Sequence, residues 1–80
     1  MKLITIKKIL LDAQRTESNG VIITPNHSVP FEFYSGPGYC APDIISTNET
    51  EDIISILSQG HQYHIEATAV TNIDIHPHRD

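Results

Sequence analysis

The sequence has no tryptophan, one cysteine, and only five lysine and arginine residues in a chain of 80. A lone thiol, Cys40, closes no intramolecular disulfide, so the small disulfide-stapled class is excluded and stability has to come from packing. Five cations against ten carboxylates leave a net charge of −5, the wrong sign for attraction to a phosphate backbone or an anionic lipid surface. Long apolar runs are missing too. Ile9-Leu10-Leu11 is as long as any, and a membrane-spanning helix needs about 20 apolar residues, so no membrane segment is expected. In Met1-Lys2-Leu3-Ile4-Thr5-Ile6-Lys7-Lys8 the lysines sit inside the apolar stretch and no small-residue cleavage site follows. That reads against a signal peptide and for a cytoplasmic chain. A chain of this length implies a single domain, 1–80, with a small core.

Against these absences stand 13 isoleucines, 3 valines and 7 threonines. β-branched side chains are stiff at χ1 and suit a pleated surface, so the composition leans toward strands. Ala13, Leu11 and Ile9 alternate with polar or neutral positions, and Ile6 and Ile4 continue the alternation one residue out of phase. An extra residue at Lys7-Lys8 restores the phase, so a bulged strand is expected over 2–14. The competing pattern is an amphipathic helix with Leu3, Ile6, Leu10 and Ala13 at spacings of three and four. Asn19-Gly20, before Val21-Ile22-Ile23, has the residues a type I′ hairpin turn demands. Pro25 and Pro30 bracket a loop, because each removes an amide donor. Phe31 and Phe33, the only phenylalanines, fall on one face of a short strand and are expected to anchor the core.

Farther along, Asn48 and Glu51 have capping-box spacing, Ile53, Ile54 and Leu57 make a stripe, and Gly60 stands where a helix terminates. The single expected helix is therefore placed at about 49–59. Residues 65–75 alternate without a break, which predicts a single long strand that Pro77 ends. The expected fold is α+β and mostly β: a small twisted antiparallel sheet or partly open barrel, ordered β-β-β-α-β.

Few residues point to chemistry. His76 and His78, in phase with Asp74, form a loose divalent-metal pattern that His64 or His61 would have to complete from another segment. A divalent transition metal is the one cofactor this leaves room for, and no HExxH or CxxC pattern accompanies it. A nucleophilic Cys40 would need a base and oxyanion donors that no spacing supplies. Ten acids spread from Asp12 to Asp80 are too few and too dispersed to imitate nucleic-acid phosphates, although Asp43, Glu49, Glu51 and Asp52 could make an acidic patch beside the expected helix start. No basic residue lies among the aromatics, which opposes direct nucleic-acid binding.

The connector Tyr34, Ser35, Gly36, Pro37, Gly38, Tyr39, Cys40, Ala41, Pro42 is the densest set of turn formers. Two tyrosines on a proline-stiffened loop offer contact area at low entropic cost. The expected function is a small non-catalytic protein-binding module, such as an inhibitor or accessory subunit, that acts through Tyr34, Gly36, Pro37, Gly38, Tyr39 and Cys40 and through a sheet edge. Homo-oligomers would use the same edge. A metal- or small-ligand-binding domain using the C-terminal histidines, and an acidic nucleic-acid mimic, are the alternatives.

Overall fold

The structure, a computed structural model, describes residues 1–34, 42–58 and 60–77. It is α+β and mostly β, with one helix among the described residues, α1 (Leu3–Arg15), and six strands, β1 (Asn19–Ile23), β2 (Ser28–Glu32), β3 (Ile44–Asn48), β4 (Ile53–Ser58), β5 (His61–Glu66) and β6 (Asn72–His76). A 3-10 turn at Ala67–Ala69 separates the last two. The strands form two antiparallel three-stranded sheets, ordered β2-β1-β6 and β3-β4-β5. The barrel is not closed. The helix precedes every strand, so the order β-β-β-α-β is corrected.

Residues 3–15 coil because the helical spacing buries more than the bulged strand would. Ile6, Leu10 and Ala13 are all buried on one stripe, while Lys7, Lys8 and Asp12 face solvent. Lys2 supplies no side-chain cap, so tertiary burial rather than local capping specifies the start. The end is specified locally. Ser18 N–H donates to Ala13 O at 2.8 Å and Glu17 N–H to Gln14 O at 3.2 Å, with Glu17 at φ 53. Those two bonds are the Schellman pair, with a glutamate at the left-handed position usually given to glycine.

This motif displaces the expected hairpin. Positive φ falls on Glu17, and Asn19 and Gly20 are the first residues of β1, each paired on both sides: Asn19 with Glu32 and His76, Gly20 with Phe31 and Ile75. In place of a turn, Asn19 Oδ1 accepts the backbone N–H groups of Phe33 and Tyr34, both at 3.1 Å.

The helix placed at 49–59 is corrected in the same way. Asn48 Oδ1 accepts from Thr50 N and Glu51 N, as a cap would, but the chain then turns through Asp52 at φ 59 and enters β4. Asx geometry starts a turn as readily as a helix. The supposed helical stripe is a two-residue rhythm: Ile54 and Ile56 are fully buried, and Leu57 faces out. Gly60 is left-handed, at φ 83, and serves the reversal from β4 to β5. The single strand over 65–75 is broken because Ala67, fully buried, turns inward, with its N–H on Asp52 O at 2.9 Å. Thr71 N–H then meets Ile23 O at 2.9 Å, which delivers β6 to the other sheet.

The core joins the helix stripe to the inner faces of both sheets: Ile22, Val29, Phe31 and Ile73 from one, Ile54, Ile56 and Ile65 from the other, with Phe33, Ala67 and Val70. Phe31 and Phe33 are both buried, as expected, with ring centroids 5.1 Å apart. The two sheets are stitched by reciprocal bonds of 2.9 Å, Asp43 N–H to Glu32 O and Glu32 N–H to Asp43 Oδ2.

Candidate partner-docking edge

Each sheet has two edges, and among the described residues these differ in what protects them. Pro30 removes an amide donor from β2. The helix packs against β3, where Leu10, Leu11 and Gln14 meet Ile45 and Thr47 around a cavity of about 90 Å³, and also against β6. β6 further carries the exposed charge of Asp74 and gives way to Pro77. Among the described residues β5 pairs only with β4, contains neither proline nor lysine, and carries its one carboxylate, the exposed Glu66, at its last position. Edges without such devices are the ones other chains join.

Local chemistry places this strand. The left-handed Gly60 sets Ser58 opposite His61, and the register runs through Leu57 with Gln62, Ile56 with Tyr63, Ser55 with His64 and Ile54 with Ile65. Partners across an antiparallel pair share a face. Ile65 thus lies over the core, and Tyr63, one pleat closer to the turn, reaches past it and is 44% exposed. On the opposite face His64 Nδ1 and Ser55 Oγ are 3.0 Å apart. His61, Gln62, Tyr63 and His64 are all exposed, so the turn end of the hairpin stands proud on both faces.

Beside this edge is a cavity of about 230 Å³, lined by Pro30 and Glu32 of β2, by Asp43, and by Ser58, His61 and Tyr63 of the β4–β5 hairpin. Asp43 is 7% exposed, held by its bond from Glu32 N–H. The cavity presents carboxylate oxygens, an imidazole and a phenol, a set suited to hydrogen-bond donors of positive charge.

Of the residues expected to bind a partner, Tyr34 is half-buried, with its N–H on Asn19 Oδ1. Gly36, Pro37, Gly38, Tyr39 and Cys40 lie outside the described residues. Of the metal pattern, His64 is on β5, His76 is at the end of β6 in the other sheet, and His78 lies outside the described residues. Among the described residues no group of three His, Cys, Asp or Glu side chains is placed to hold a metal ion. The acidic residues considered as a phosphate mimic are split. Asp43 is buried before β3, while Glu49, Glu51 and Asp52 follow its far end, and Lys7 Nζ donates to Glu49 Oε1 at 3.0 Å. Glu32 and Tyr63 had no place in the sequence reading. The signal available for Tyr63 was Gly60 followed by a polar-aromatic run; nothing local marks Glu32.

No known family matches the chain, and neither a curated protein nor a solved structure is similar to it.

Proposed function

We propose that this chain is a non-catalytic protein-binding module whose β5 edge takes up an extended strand of a partner polypeptide. The observation that carries this reading is the β5 edge, paired with β4 on one side among the described residues and free of proline and lysine, where β2 has Pro30 and the helix packs against β3 and β6. Strand addition of this kind draws affinity from main-chain hydrogen bonds and specificity from alternate side chains. The occupant is a different polypeptide and not a second copy, because two chains of net charge −5 repel on approach.

The test uses the alternation of amides along a strand. Of Gln62→Pro and Tyr63→Pro, one removes a donor from the open edge and the other removes one from the β4 ladder. The variant that keeps the wild-type melting midpoint is the edge variant. Immobilised wild-type chain, edge variant and a Tyr39→Ala, Cys40→Ser variant are compared for capture from the source cell. The reading expects a partner held by the wild type and by the connector variant and lost by the edge variant. A partner that survives the edge change, or one lost with the connector change alone, overturns it. Dimer mass in size-exclusion chromatography at two concentrations would replace the foreign strand with a second copy.

A further inference from the structure

The cavity beside β5 is lined by two carboxylates and, among the described residues, by no lysine or arginine. The ion pairs among the described residues are Lys7 with Glu49 and Arg15 with Asp12, neither of which lines it. Asp43 is the unusual member. At 7% exposure it is more than nine-tenths buried, and its Oδ2 receives Glu32 N–H. No sealed side-chain oxygen among the described residues lacks a partner, so the remaining Asp43 oxygen stays within reach of solvent and of a donor entering the cavity. Tyr63, 44% exposed, lines the same cavity, and aromatic rings attract cations.

We infer that the partner strand carries an arginine or lysine side chain that seats in this cavity against Asp43, Glu32 and Tyr63. The inference rests on strand addition at β5. A residue placed opposite Tyr63 or His61 in an added antiparallel strand shares their face, which is the face lining the cavity. A guanidinium or ammonium there meets the open Asp43 oxygen at the end of a flexible stem, while its neighbours in the strand turn to the other face. The partner is therefore a basic extended peptide.

Selection from a displayed library of random dodecapeptides on the immobilised wild-type chain tests this. The expected winners are β-branched sequences with arginine or lysine at one fixed position. In fluorescence anisotropy, replacing that residue by norleucine weakens binding by about tenfold or more. In a Glu32→Gln, Asp43→Asn variant, whose new carboxamide oxygen at the second position still accepts Glu32→Gln backbone N–H, the norleucine penalty disappears. Winners without a fixed basic residue, or a penalty unchanged in that variant, overturn the inference. If such neutral winners still lose binding in the edge variant, strand addition at β5 survives; if they bind the edge variant undiminished, it falls as well. A selection that enriches nothing overturns both.

Discussion

The ring of Phe31 closes over Gly20, its cross-strand partner. A Cβ built on Gly20 would lie 2.6 Å from Phe31 Cζ and would also collide with the carbonyl oxygen of Asp74 on β6. Gly20 is therefore fixed by the approach of two neighbouring strands. The first neighbour is a fully packed aromatic, 1% exposed, and the second is backbone, so neither gives way easily. Gly20→Ala is expected to destabilise the fold by about 1–3 kcal/mol, as overpacked cores do. A urea midpoint equal to the wild type's would show that the ring does not close over this position.

Asn19 holds the chain just beyond β2. Its Oδ1 is the acceptor for both Phe33 N–H and Tyr34 N–H, so one side chain extends the β1–β2 pairing past the ladder. Asn19→Ala removes the acceptor that these two partly buried N–H groups share, at a cost of about 1–3 kcal/mol. Asn19→Asp keeps the acceptor and should retain most of the stability. Equal loss in the two variants would assign the effect to something other than these bonds.

Glu17 stands in the left-handed region at φ 53, where an L-residue pays about 1–2 kcal/mol and glycine does not. Glu17→Gly should therefore stabilise the helix end, by about 1 kcal/mol once the greater freedom of glycine in the unfolded chain is subtracted. Thermal melting checks the sign. A lower midpoint would mean that the Schellman closure after Arg15 is absent in solution.

These positions also show why the fold class was legible and the element order was not. β-branched abundance and the Phe31/Phe33 phase are properties of packing, and both carried through to the structure. Asn19-Gly20 and Asn48-x-x-Glu51 are local signals with more than one physical use. An asparagine carboxamide accepts two amides equally well across a sheet, in a turn or at a helix start. Which use prevails depends on contacts far along the chain, such as Asn48 facing Ile53 and Ala67 N–H on Asp52 O. Leu3 to Ala13 satisfied both periods at once, and burial of Ile6, Leu10 and Ala13 against distant strands decided for the helix. The edge proposed for docking was least legible. Sheet edges are defined by what does not pair with them, and Glu32 and Asp43 meet beside His61 and Tyr63 only once both sheets have assembled.

The most direct measurement is amide hydrogen exchange by NMR, residue by residue, on the wild-type chain alone and saturated with a selected peptide. Strand addition predicts new protection at alternate residues of β5, since only every second amide points to the open side, and little change along β2, β3 and β6. Protection that appears along α1 or β6 while β5 exchanges as before would contradict the assignment of β5 as the docking strand.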